Sequence, residues 1–151
     1  MIDFTIETEI ARPPAEVFAF ATDPEQLPRW QTNTVSAVPE EPGPLRVGSR
    51  LREVHRGPGG RETESLVEVS ELEPERAFGL RMLGGPLPVD ADLRFEPAGE
   101  RTRVRFRVHG QPGGAMRLLQ PLLRPALKRQ FRQHCEELKH VLEGRDTLSS
   151  S

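Results

Sequence analysis

Val89-Asp90-Ala91-Asp92-Leu93-Arg94-Phe95-Glu96-Pro97 and Thr102-Arg103-Val104-Arg105-Phe106-Arg107-Val108-His109 are two alternating stretches separated by Ala98 to Arg101. An apolar side chain at every second position marks a half-buried strand. Turning the chain at 98–101 sets Leu93 opposite Phe106 and Phe95 opposite Val104 on an inner face, with Glu96 opposite Arg103 and Asp92 opposite Arg107 outside. Arg94 opposite Arg105 is the one like-charged pair. Alone, Arg103, Arg105 and Arg107 resemble a stripe for phosphate or nucleic acid. With Asp92 and Glu96 across from them, they read as a solvated, charge-balanced face.

Upstream the same logic yields two more hairpins. Residues 49–56 and 61–73 are joined by Gly57-Pro58-Gly59-Gly60, and 61–73 and 76–83 by Pro74-Glu75. The second turn sets Val69 opposite Leu80 and Val67 opposite Met82, while Glu68 meets Arg81 on the other face. Residues 4–10 alternate as a first strand. Pro13-Pro14-Ala15-Glu16 starts a short helix with apolar Val17, Phe18 and Ala21, and Asp23 caps a second helical piece that ends at Trp30. Val35 to Val38 reads as a short strand before the turn-rich 39–48.

After Gly110 to Gly114 a helical pattern runs from Ala115 to about Glu143. At ~43 Å it is longer than the ~27 Å of an eight-residue strand, so it can cross a whole sheet. Leu127, Phe131, His134, Cys135, Leu138 and Leu142 share one arc, and Leu119, Leu122, Leu123 and Ala126 lie on another, displaced by roughly 120°. One straight helix cannot bury both arcs against one surface. A break near Pro121 to Pro125 resolves the conflict, and residues 145–151 read as a frayed tail.

The 151 residues suit one domain, 1–144, that buries roughly 70% of its unfolded surface. A net charge of −2 argues against a nucleic-acid partner, whose phosphates call for a basic surface. One cysteine, Cys135, excludes an internal disulfide and a multi-thiolate zinc site. His134 and Cys135 point apart by roughly 100° on a helix and cannot hold one ion together, so no metal or other cofactor is expected. Without a signal-peptide pattern or a run of ~20 apolar residues, the expectation is a cytoplasmic protein, monomer or homodimer, with no stable membrane insertion.

The order is strand, two short helices, about six antiparallel strands and one long helix. That order, with Ile10-Ala11-Arg12-Pro13-Pro14-Ala15-Glu16-Val17-Phe18, Asp23-Pro24-Glu25-Gln26-Leu27-Pro28-Arg29-Trp30, Val47-Gly48-Ser49, Val69-Ser70-Glu71-Leu72-Glu73-Pro74-Glu75-Arg76 and Leu138-Lys139-His140-Val141-Leu142-Glu143, resembles the START-like helix-grip superfamily (SRPBCC). Within it, the chain is most similar to the bacterial polyketide cyclase/dehydrase and lipid-transport group. The resemblance spans nearly the whole chain. It implies an α+β helix-grip fold, a curved antiparallel sheet of about seven strands wrapped on the C-terminal helix. It also implies an apolar pocket between them for a lipid-like or polyketide-like molecule. Aromatase-cyclase members often place tyrosine in that pocket; this chain has none.

Inward alternation and the bent helix suggest that Trp30, Val67, Val69, Leu80, Met82 and Leu93 line the pocket, together with Phe95, Phe106, Leu119, Leu123 and Phe131. The leading function is carriage or sequestration of an apolar small molecule. Catalytic candidates are Glu53, His55 and His134. If Leu51 points inward, Glu53 and His55 enter the pocket as an acid/base pair; if Val54 does, they are solvated. Pairing Val54 with Thr63 across 57–60 brings Arg50 beside Val67, against the inward reading of Val67. His134 is either a general base or a group that orients a ligand carbonyl, or else a core-edge histidine bonded to backbone. The rival functions are therefore a cyclase, dehydratase or isomerase of an apolar ketone, and an interaction module with a filled core.

Overall fold

A computed structural model describes residues 2–85, 89–111 and 113–149. Seven antiparallel strands form one sheet in the order β1-β7-β6-β5-β4-β3-β2. They are β1 (Ile2–Ile10), β2 (Thr34–Pro39), β3 (Arg50–Arg56), β4 (Glu62–Glu73), β5 (Ala77–Gly84), β6 (Asp90–Ala98) and β7 (Arg101–Gly110). The helices are α1 (Pro14–Ala21), α2 (Leu27–Trp30), α3 (Ala115–Leu118) and α4 (Gln120–Ser149). Asp23 caps a 3₁₀ turn ahead of α2, its Oδ1 accepting from the Glu25 N–H at 3.0 Å.

The β6–β7 and β4–β5 registers are those read from the side-chain faces: Leu93 meets Phe106, Phe95 meets Val104, Val69 meets Leu80 and Val67 meets Met82. The outer arginines find acids that sequence adjacency did not offer, because β1 lies on the far side of β7. Arg103 pairs with Glu9, Arg105 with Glu7 and Glu96, and Arg107 with Asp3. The Arg107 hydrogen bond holds the Asp3 carboxyl below its usual range. The opposed Arg94 turns away to Glu71 at 2.8 Å.

Between β4 and β5 the chain turns at Pro74-Glu75, where Glu75 has φ 66°. The left-handed region costs an L-residue about 1 kcal/mol or more that glycine avoids. Glu75→Gly is therefore expected to raise stability by up to about 1 kcal/mol. A lower urea midpoint in the variant would contradict this.

The long helix breaks at Leu119, ahead of Pro121, so α3 and α4 are separate. Pro121 falls in the first turn, where no backbone N–H is needed, and Pro125 is carried inside α4. Leu127, His134, Cys135, Leu138 and Leu142 are buried, as their shared arc requires. The second arc is not buried: Leu119 and Leu122 are exposed, with Leu118 beside them. α4 also continues through Gly144, whose φ is not positive, rather than stopping there. A single helical glycine costs only about 1 kcal/mol relative to alanine. Ser150 and Ser151 of the expected tail lie outside the described residues.

Two of the quoted sequence motifs meet in space at the C-terminal half of α4. Glu143 Oε2 accepts from the Ala11 N–H at 3.0 Å and from Lys139 Nζ at 2.7 Å, and Arg12 Nε donates to the Leu142 carbonyl at 3.1 Å. These contacts tie α4 to the end of β1, the strand along which it packs. The concave faces of β3 to β6 are left to be covered by other side chains. α1 fills one end, with Phe18 edge-on to Phe95 at 5.4 Å.

Candidate ligand-binding site

At the other end the concave surface is not filled. A cavity of about 220 Å³ lies between β3–β7 on one side and α2 and α4 on the other. Val67, Leu80, Met82, Leu93 and Phe106 line it from the strands, and Trp30 and Phe131 from the helices. Trp30, Phe106, Phe131 and His134 form a contiguous wall, with ring centroids 5.2 to 6.5 Å apart in successive pairs. Exposed Arg56, Gly57 and Thr63 mark the open end at the β3–β4 turn.

Four of the expected lining residues sit elsewhere. Val69 and Phe95 are buried in the packed core, Phe95 against Phe18 of α1. Leu119 is 52% exposed because the helix breaks there, and Leu123 packs at the edge of the core. Phe78, Val89 and Ala91 line the cavity in phase with Leu80 and Leu93, an alternation already present in the sequence. Gln31 and Asn33 also line it, from a short loop with no periodicity to reveal them.

The β3–β4 register decides the polar end. Gly59 and Gly60, with φ of 76° and 79°, let the hairpin close with the Gly57 N–H bonded to the Arg61 carbonyl at 2.8 Å. That closure pairs His55 with Thr63 and Leu51 with Val67, so the Val54–Thr63 pairing does not form. Leu51 is fully buried, and Glu53 and His55 follow it inward to line the cavity. A bulge at Val35 in β2 turns Thr34 inward too, beside His55.

The result is a chain of polar contacts. Glu53, 4% exposed, meets His55 Nε2 through Oε1 at 3.2 Å, and His55 Nδ1 lies 3.3 Å from Thr34 Oγ1. Thr34 Oγ1 donates to Gln31 Oε1 at 3.0 Å. His134 accepts the Thr32 N–H at Nδ1 over 3.4 Å, which leaves its ring proton on Nε2. Burial, helped by the nearby His55, pushes the His134 imidazole down to about 4, so it is neutral near pH 7. His134 is thus bonded to backbone, as one of its two readings has it, and it also lines the cavity. Burial likewise pushes the adjacent Cys135 thiol up to about 12, a protonated and unreactive group.

Among buried side-chain polar atoms, Trp30 Nε1 and Glu53 Oε2 have no hydrogen-bond partner. Both residues line the cavity. Among the described residues no cluster of His, Cys, Asp or Glu could hold a metal ion, and no helix is long and apolar enough to cross a membrane.

A family profile described as polyketide cyclase/dehydrase and lipid transport matches residues 1–143. The chain belongs to this family. Solved structures repeat the architecture. A protein of Nitrosomonas europaea aligns with a TM-score of 0.77 at 18% identity, covering 97% of each chain. One from Thermus thermophilus aligns at 0.73 and 24% identity, covering 99% of each. Ara h 8.0201 aligns at 0.74 and 16% identity, covering 94% of this chain and 97% of its own. At these identities the likeness is one of fold. No curated protein matches the chain. Membership in the polyketide cyclase/dehydrase and lipid transport family agrees with an unfilled, apolar concavity under α4.

Proposed function

We propose that this family member binds a compact apolar molecule in the cavity, and that carrying or sequestering it is the protein's task. The supporting observation is a void of about 220 Å³ with aromatic and aliphatic walls and a few grouped polar atoms. An apolar cavity of about 150 Å³ already accepts benzene, and burial of ligand surface contributes about 25 cal/mol per Å². The volume suits a single ring with a few attached atoms better than a whole long-chain lipid. A void of this size disfavours an interaction module with a filled core. Titration with toluene, followed by the indole N–H signal of the one tryptophan, is expected to saturate with a Kd below about 1 mM. Ala91→Phe, which grows into the cavity, is expected to abolish that response with the fold retained. A wild-type signal that does not move would overturn the proposal.

A second reading, acid–base catalysis on an apolar ketone, is favoured by one observation: Glu53 and His55 line the cavity in contact with each other. In this reading Glu53 accepts a proton α to the carbonyl. Protein-catalysed exchange of the α-protons of cyclohexanone in D₂O, measured by NMR, is expected to fall by about 100-fold or more in Glu53→Gln. Exchange no faster than with the same concentration of imidazole would remove this reading and leave carriage standing.

A further inference from the structure

Charge is unevenly distributed along the chain. Residues 111–135 contain five cations, Arg117, Arg124, Lys128, Arg129 and Arg132, and no acid, although the net charge of the whole is −2. The four arginines are exposed. Among the described residues, no ion pair engages Arg117, Lys128, Arg129 or Arg132. Arg124 acts on Asp3, which is itself bonded to Arg107. Three large apolar side chains stand among these cations: Leu118 is 83% exposed, Leu119 52% and Leu122 75%. Leu123 and Leu127 turn inward to the core, so the outward leucines share the solvent face with the arginines.

The topology brings this face to the open end of the cavity. α4 runs antiparallel to β1, with Lys139 Nζ donating to the Glu9 carbonyl and Phe131 lying 6.3 Å from Phe4. The turns of α4 ahead of Phe131, and α3 before them, therefore lie toward the start of β1. Because every strand pair is antiparallel, that end of the sheet also holds the end of β7, which leads into α3, and the β3–β4 turn. Leu122 stands ~12 Å along the helix from Gln130, which lines the cavity.

We propose that this face docks peripherally on an anionic membrane surface, with the open end of the cavity toward the bilayer. The leucines enter the boundary between headgroups and acyl chains, and the cations meet the lipid phosphates. A second copy of the chain seated on the same face would set five cations against five. Nucleic acid would satisfy the cations and leave the leucines in water. The one aromatic residue of the segment, Phe131, is turned into the cavity and offers no base a stacking surface. Docking stands on the surface alone; its use, exchange of an apolar ligand between bilayer and cavity, rests on the ligand-binding reading above.

Sedimentation of the whole chain with sucrose-loaded vesicles tests this. Binding to equal parts phosphatidylglycerol and phosphatidylcholine is expected to be about tenfold tighter than to phosphatidylcholine alone, and to weaken as NaCl rises from about 0.05 M to about 0.5 M. Leu118→Ser/Leu122→Ser, at two exposed positions outside the cavity, is expected to weaken anionic-vesicle binding about tenfold while toluene binding is retained. The comparison of vesicles needs no variant, so a variant that fails to fold does not decide the matter. Equal affinity for both vesicles, or affinity for neither, overturns docking. Anionic-vesicle binding that the leucine variant keeps in full, with duplex DNA competing equally well, makes the face a general polyanion site and also overturns it. So does a wild-type dimer in analytical ultracentrifugation that the leucine variant lacks, without vesicle binding. Vesicle binding with no toluene response removes the exchange and leaves docking standing; a toluene response with no vesicle binding does the reverse.

Discussion

Phe106→Ala is expected to lower the free energy of unfolding by about 3–5 kcal/mol, the largest effect of any single truncation considered. Phe106 is 1% exposed on β7, which is hydrogen-bonded to β1 on one side and β6 on the other. Its ring lies 6.2 Å from Trp30 and 5.3 Å from Phe131, so it joins the strands to both helices that frame the cavity. Removing it merges a new void with an existing one and strips contacts from two aromatic neighbours at once. Against a typical total of about 5–15 kcal/mol, the loss is a large share. Urea denaturation followed by Trp30 fluorescence measures it directly, because the chain contains no tyrosine. A loss below about 1 kcal/mol would mean that Phe106 is not a closely packed wall of the site.

The second large effect is on the pH dependence of stability. His134 is neutral in the fold, with its pKa pushed from 6.5 to about 4, chiefly by burial. The unfolded chain takes up a proton there near pH 6.5, and the folded chain does not until about pH 4. Between those values the unfolded state holds more protons, so stability rises with pH across the window and is lost as pH falls. The His134 contribution is fully present above about pH 6.5, and about 2 kcal/mol of it is gone by pH 5. Other groups titrate in the same range, so the comparison is with His134→Gln, in which this linkage is absent. Wild-type stability should fall between pH 7 and pH 5 by about 2 kcal/mol more than that of the variant. Equal pH dependence would show that the imidazole is not held neutral.

Much of this architecture was legible because short-range pairing rules apply where turns are tight. The Pro74-Glu75 turn admits one register, and Val67, Glu68 and Val69 find the partners their faces demand. Gly57 to Gly60 admits two closures, one residue apart. Alternation alone could not choose between a buried and a solvated Glu53. The conformations of Gly59 and Gly60 made that choice, and they set the chemistry of the cavity. Thr34 was missed for a related reason: the bulge at Val35 breaks the period of two that would have flagged it.

The pocket wall was legible only in part because a strand's inward face is one surface to the sequence but two places in the fold. Val69 and Val67 share that face, yet the first is packed into the core and the second lies beside the void. The helix pattern showed that one rod could not bury both leucine arcs. It did not show that the second arc, with Leu119 and Leu122, would stay outside. The acids that neutralise Arg103, Arg105 and Arg107 come from β1, about a hundred positions earlier in the chain, as the Arg107–Asp3 separation of 104 illustrates. Only the closing of β1 onto β7 brings them together.

Ligand binding here depends on a ring-sized apolar space between Trp30, Phe106 and Phe131 and the strand carrying Leu80 and Met82. A crystal soaked in bromobenzene, with bromine located by its anomalous scattering, tests it most directly. One strong bromine site is expected inside that space, within van der Waals reach of Phe106. Side chains collapsed into the space, with bromine found only on the outer surface, would contradict it.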